Sequence, residues 1–237
     1  MYRQIQLAGL SLALFLQAAV GSAFAAETKD IEYYVKQAAA CRTNKDYKGG
    51  LENTNKAISL NSKDGDLFAL RAYFKSKTGD NAGAIKDATE GIRLDPKAFE
   101  IYEIRAGIYL MQGEYRLALK DGDSMVAIDP KTADGYLIRS AAQYALNSLD
   151  VAASELHTAL NISPSDSMAQ ELATSMSKSF AERAQTRADA GNTEGAIQDC
   201  DEAISLNSQN DQAVALKAKL GGGAKKTDTS KSTDAGK

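Results

Sequence analysis

Five stretches of this chain end alike, at Ser62, Pro96, Pro130, Pro164 and Ser208, and the first three intervals between those ends are each 34 residues. A period of that length is too short for a domain and too long for one element. It fits a pair of helices that cannot bury its apolar face alone and must stack on the next pair. The same residue types recur within each stretch. Twenty-eight positions before the end stand Tyr34, Phe68, Tyr102, Tyr136 and Phe180; twenty-four before stand Ala38, Ala72, Ala106, Ser140 and Ala184; twelve before stand Gly50, Ala84, Ala118, Ala152 and Ala196. Small residues let two helix backbones approach, and the aromatics fill the space beside them. Seventeen positions before the end stand Lys45, Gly79, Gly113, Asn147 and Gly191. Gly and Asn accept the left-handed conformation that closes a helix, so this is the turn inside each pair. All three prolines sit at stretch ends, where a new helix sets off in a new direction.

These stretches resemble tetratricopeptide repeats (TPRs). The likeness covers about 31–208 in five units, strongest in units two to four; unit one departs at Gly50 and Ser62, and unit five at Ser208. The resemblance implies an all-α fold, a right-handed solenoid of stacked helix-turn-helix hairpins. It also implies a role in binding other proteins, with the first helix of each unit lining a concave groove. The expected organisation is a signal peptide at 1–25 and a solenoid at 26–220. Its units are about 31–64, 65–98, 99–132, 133–166 and 177–210, with a helical extension at 167–176, a capping helix at 211–220 and a disordered tail at 221–237.

A paired-charge rule runs through the units. Arg71, Arg105, Arg139 and Arg183 recur at one position, and Asp87, Asp121, Glu155 and Asp199 at another. In unit one both change together, to Gln37 and Asn53. The joint change predicts that the two positions touch, as an Arg fork closing each hairpin on a carboxylate.

The N-terminus reads as an export signal. Arg3 precedes an apolar run, Leu7 to Val20, and Ala23-Phe24-Ala25 has the small-x-small pattern of a cleavage site, leaving Ala26 first. The destination is then the periplasm or the outside of the cell. The competing reading keeps the run as a membrane anchor of a tethered assembly factor. No later segment is long and apolar enough to span a bilayer.

Charge and composition exclude several functions. A formal charge of −3 and a pI near 5.4 argue against nucleic acid as a partner. One His excludes a site built from several histidines. No nucleophile, zinc, calcium or phosphate-loop motif is present, so no catalytic residue and no cofactor is expected. Gly-Gly-Gly-Ala-Lys-Lys-Thr at 221–227 lacks the earlier glycine and the preceding strand of a phosphate loop. Cys41 and Cys200 lie in the first and last units, too far apart to bridge, and are expected as small buried contacts. His157 is expected as a surface residue beside Glu155.

What remains is the groove that the resemblance implies, with Val35, Ala39 and Arg42, then Ala69, Tyr73 and Lys77, then Glu103, Gly107, Leu110 and Met111, then Leu137, Ala141 and Tyr144 facing it. The Lys, Asn and Arg with which chaperone-tail-binding TPRs hold a carboxylate are replaced here by Val35, Ala39, Ala69, Tyr73, Glu103 and Gly107. The groove candidates are therefore Tyr73, Lys77, Glu103, Leu110, Met111, Leu137 and Tyr144, for a protein or peptide partner. Glu32, Asp66, Glu100 and Asp134 begin the first helices and are read as favouring the helix dipole.

The last interval carries ten extra residues, between Pro164 and unit five. They contain no Gly or Pro, and Met168, Leu172, Met176 and Phe180 recur every four residues. The pattern predicts one long helix from about Asp166 to Ala190, with a weak point at Ser175–Ser179. Its first half should overhang the stack or shift the packing between units four and five. The bared stripe should meet a partner, a second copy of the chain in a homodimer through 166–180, or the second helix of unit four.

Overall fold

The computed structural model describes residue 28 and residues 30–221. The signal-peptide and tail expectations fall outside these residues, apart from Gly221, which ends the last helix. The described chain is helical without strands and forms two compact units, divided after Gly113. Unit 1 holds α1 (30–43), α2 (Tyr47–Leu60), α3 (Gly65–Lys77), α4 (Asn81–Leu94) and α5 (Phe99–Gln112). Unit 2 holds α6 (Tyr115–Ile128), α7 (Ala133–Ala145), α8 (Leu149–Ile162), α9 (Ser167–Asp189), α10 (Thr193–Leu206) and α11 (Asp211–Gly221). Among the described residues no helix is long and apolar enough to cross a membrane.

The repeat positions do what their chemistry requires. Lys45, Gly79, Gly113, Asn147 and Gly191 all have positive φ, between 57° and 86°, so each hairpin turns through the left-handed region at the predicted residue. Asp46, Asp80 and Asn192 cap α2, α4 and α10, each accepting a hydrogen bond from the backbone N–H three residues on. Ala38, Ala72, Ala106, Ser140 and Ala184 are fully buried, as are Ala84, Ala118, Ala152 and Ala196. Unit one's departure at Gly50 has a direct cause. A Cβ there would lie 2.2 Å from the ring of Phe74, which is fully buried on α3. The missing methyl makes room for the large ring, so the total volume of the joint is conserved.

The Arg forks close as expected wherever both partners lie in one unit. Arg71 donates through Nε and Nη2 to Asp87 at 2.7 and 2.9 Å, Arg139 pairs with Glu155, and Arg183 donates to Asp199 at 3.0 and 2.6 Å. Arg105 and Asp121, though in one repeat, fall on opposite sides of the division after Gly113; Arg105 donates to Thr89 and lies over Tyr102 and Tyr109, while Asp121 is buried. Arg71, Arg105 and Arg183 also stack on the recurrent aromatic, over Phe68, Tyr102 and Phe180. In the first hairpin, where the Arg is Gln37, Lys56 takes its place over Tyr34 at 5.5 Å.

The extra residues form one helix with unit five. Asp166 caps α9, accepting from the Ala169 N–H, and α9 runs unbroken for 23 residues, roughly 34 Å. The serines singled out as a weak point are anchors instead. Ser177, fully buried, donates to the Ala203 carbonyl at 2.7 Å and is held by Asn210, while Ser175 and Ser179 meet the Tyr144 hydroxyl. The predicted stripe is only partly bare. Met176 and Phe180 are fully buried, Leu172 is half-buried against the core, and Met168 remains 63% exposed. The chain supplies its own cover: α11 packs on α9 and α10, burying Ala213 and Leu216, and Lys217 pairs with Asp201.

Candidate interaction groove

In unit 1 the first helices of successive hairpins, α1, α3 and α5, present one cleft of about 430 Å³. Its walls are Arg42 from α1, Tyr73, Ser76 and Lys77 from α3, and Glu100, Glu103, Ile104, Gly107, Ile108 and Met111 from α5. A second cleft of about 320 Å³ adjoins it, sharing Arg42, Tyr73, Glu100 and Ile104 and adding Asp66, Ala69 and Leu70. The period of 34 explains the alignment, because it places Glu100 level with Asp66, Gly107 with Tyr73 and Met111 with Lys77.

Tyr73 is the centre of the site. Its ring meets Tyr47 and Phe74 edge-to-face, at 6.5 and 5.3 Å, which fixes its plane. Two cations cover it, the Arg42 guanidinium at 5.9 Å and the Lys77 ammonium at 5.6 Å. Opposite, Gly107 leaves bare backbone: nothing lies within 4 Å of where its Cβ would be. Met111 stands at the lip, 71% exposed. Burial, together with the carboxylates of Asp64, Asp95 and Glu100, pushes the Asp66 carboxyl above its ordinary value.

Of the candidates read from the sequence, the structure brings Tyr73, Lys77, Glu103 and Met111 together. Leu110 is half-buried and does not line the cleft. Leu137, at 6% exposure, belongs to the core of unit 2, because α9 packs over that region. Tyr144 is half-buried, and its hydroxyl is bound to Ser179 Oγ at 2.8 Å. Asp66 and Glu100, read as serving only the helix dipole, line the groove as well; their recurrence 34 residues apart was the available signal.

No family model matches the sequence, and no curated protein matches it significantly. Solved structures do match. A crystal structure of the MamA protein superposes with a TM-score of 0.59 at 16% identity, covering 77% of this chain and 94% of that one. YrrB, described as a TPR protein with an unusual peptide-binding site, gives 0.56 at 17% identity, covering 81% and 97%. A thermophilic TPR protein of Thermus thermophilus gives 0.50 at 18%, covering 82% and 98%. The chain has the TPR fold.

Within unit 2 the fifth TPR hairpin is mounted differently from the rest. In regular TPR junctions the Arg of a first helix reaches the preceding second helix sixteen residues back: Arg71 to Asn55, Arg105 to Thr89, and Arg139 to Asp123 at 3.5 Å. Sixteen plus the ten inserted residues would bring Arg183 to His157. It bonds Asp150 instead, seven residues further back, at 2.9 and 2.6 Å. Two turns of α8, about 10 Å, separate the two positions. His157, relieved of that role, meets Glu202 on α10 at 2.6 Å, and not Glu155, which takes Arg139. The displaced hairpin leaves a cleft of about 720 Å³ between α8, α9 and α10. Its charges satisfy one another: Arg183 with Asp150 and Asp199, Arg187 with Asp199, His157 with Glu202.

The remaining chemistry is sparse. Cys41 and Cys200 are free thiols in different units; Cys200 is buried, but Cys41 is half-exposed beside Asp46 and Asn53. Burial and neighbouring carboxylates push both thiols up, away from the reactive thiolate form. Among the described residues no group of three or more His, Cys, Asp or Glu could hold a metal ion.

Proposed function

We propose that this chain is an exported, non-catalytic TPR scaffold that docks a segment of another protein in the groove of unit 1. The observation that carries the reading is the floor of that groove. An aromatic ring fixed by two neighbouring rings faces a strip of bare backbone at Gly107, with an exposed Met at the lip. Rigid aromatic and adaptable Met side chains beside open backbone suit peptide recognition better than catalysis, which needs converging acid, base and nucleophile. The TPR fold shared with a protein described as carrying a peptide-binding site supports the same reading.

Site-specific photo-cross-linking tests it. A photoreactive residue in place of Met111 should capture a partner polypeptide from the cell-envelope fraction. The same residue in place of Lys48, exposed on α2, should not, and Gly107→Leu should abolish the capture without loss of helicity. Equal capture at both positions, or capture indifferent to Gly107→Leu, overturns the groove as the docking site. Export is tested separately. The mature N-terminus should be Ala26, and a chain that keeps Met1 in the membrane fraction points to the tethered alternative.

A further inference from the structure

The groove of unit 1 has its charges sorted by sign along its length. Asp66 and Glu100 stand at the start of α3 and α5, Lys77 stands at the end of α3, and Arg42 comes from the end of α1. Among the described residues no ion pair joins Asp66 or Glu100 to Arg42 or Lys77. Opposite charges that could have closed across the groove are instead held apart along it. Asp66 and Lys77 lie on one face of α3, eleven residues apart (77 − 66), which is about 16 Å. Glu103, one turn on from Glu100, extends the acidic side, and beyond it the floor is Ile104, Ile108 and the backbone of Gly107.

The span suits an extended occupant: a helix, rising 1.5 Å per residue, would need about eleven residues to join the two ends. An extended chain rising roughly 3.3 Å per residue spans 16 Å in about five residues. A segment of uniform charge would set one of its ends against like charge.

Resting on the docking role proposed above, we infer that the occupant is an extended, charge-separated peptide segment: a basic side chain at one end, an acidic one about five residues away, and small or apolar residues between. The basic end sits by Asp66 and Glu100 and the acidic end by Arg42 and Lys77, with the uncharged middle crossing Tyr73 and Gly107.

Fluorescence anisotropy on the full chain tests this with labelled, end-blocked peptides of about six residues. The probes are Lys-Ala-Leu-Ala-Gly-Asp, Asp-Ala-Leu-Ala-Gly-Lys, and versions with two Lys, two Asp or two Ala ends. One charge-separated order should bind at least ~10-fold more tightly than every like-charged or neutral peptide, and salt should erode the difference. The reversal Glu100→Lys with Lys77→Glu touches exposed side chains only, so circular dichroism should stay unchanged while the preferred order is lost or inverted. Equal binding of the neutral peptide overturns the inference. So does tightest binding of a like-charged peptide, an order preference that survives the reversal, or no binding by any probe. In each of those cases the docking role still stands or falls on the cross-linking at Met111.

Discussion

At the junction of α4 and α5, Arg105 reaches back sixteen residues to Thr89; at the junction of α8 and α9, Arg183 reaches back thirty-three to Asp150. Both junctions use an Arg that stacks on an aromatic of its own helix. The difference is in what the seam leaves behind. The regular junction keeps first helices in step, so that residues 34 apart line one groove, and charged side chains of unit 1 stay along it. The displaced junction slides a hairpin by two turns, and the cleft it opens is closed to newcomers by its own ion pairs. A repeat in register makes a surface for something else, whereas a repeat out of register spends its polar groups on itself.

The strongest challenge to this contrast is at Met176, fully buried where α9 meets α7 and α10. Met176→Ala should destabilise unit 2 by about 2–5 kcal/mol, whereas Met168→Ala, eight residues earlier and exposed, should cost under ~0.5 kcal/mol. Urea denaturation measures both; similar losses would mean the first half of α9 carries as much packing as the second. Next comes Gly50→Ala. Helix propensity alone would favour it by ~1 kcal/mol, but the Phe74 ring blocks the methyl, so a net cost of about 1–3 kcal/mol is expected. Phe74→Ile on the same background should recover part of that loss, and a stabilised single variant would show that the ring has room to move.

The ion pairs give a smaller effect with a defined sign. Burial would raise the Asp87 carboxyl, but hydrogen bonds from Arg71 and Lys75 outweigh it and hold it below the usual carboxylate range. A carboxyl depressed in the folded state contributes stability above its unfolded value, ~3.9, that is lost as pH falls through the folded value. The stability of unit 1 should therefore decline below about pH 4 more steeply than in Asp87→Asn, read from denaturation midpoints across pH. Parallel curves would remove Asp87 from the account. The smallest effect belongs to the seam itself. The Arg183 hydrogen bonds hold Asp150 low as well, but its carboxylate is 71% exposed and screened by water, so Asp150→Ala should cost only about 0–1 kcal/mol. Its diagnostic is local. Amide exchange should speed up in the first turns of α8 and not around His157; the reverse pattern would mean that the hairpin rests in the regular register in solution.

Much of this was legible in the residues. Period and small-residue positions placed every hairpin, and the joint change of Arg and carboxylate to Gln37 and Asn53 pointed to the contact made by Arg71 with Asp87, Arg139 with Glu155 and Arg183 with Asp199. The absence of Gly and Pro foretold the unbroken α9. Three things were hidden, each because it depends on how far α9 slides. Leu137 looked like groove and is core; Tyr144 looked like an anchor for a partner and is bound to Ser179. Ser177 looked like a break and is a buried tie to Ala203. A slide of two turns leaves no trace in spacing, because Asp150 occupies no position that the other units use for this bond. Phe74, by contrast, explains Gly50 only once the two are seen face to face.

The fixed offset of sixteen also bears on how such an array can grow. A duplicated stretch of 34 residues carries the acceptor for the Arg that follows it and the Arg for the acceptor that precedes it, so an extra copy of 65–98 arrives with both its couplings intact. A duplication spanning α8 and α9 brings no matching socket, since Asp150 serves Arg183 at thirty-three residues and not at sixteen. Recombination can therefore lengthen or shorten the front of this chain freely, while the seam before its fifth hairpin acts as a fixed terminus that tolerates no spare parts.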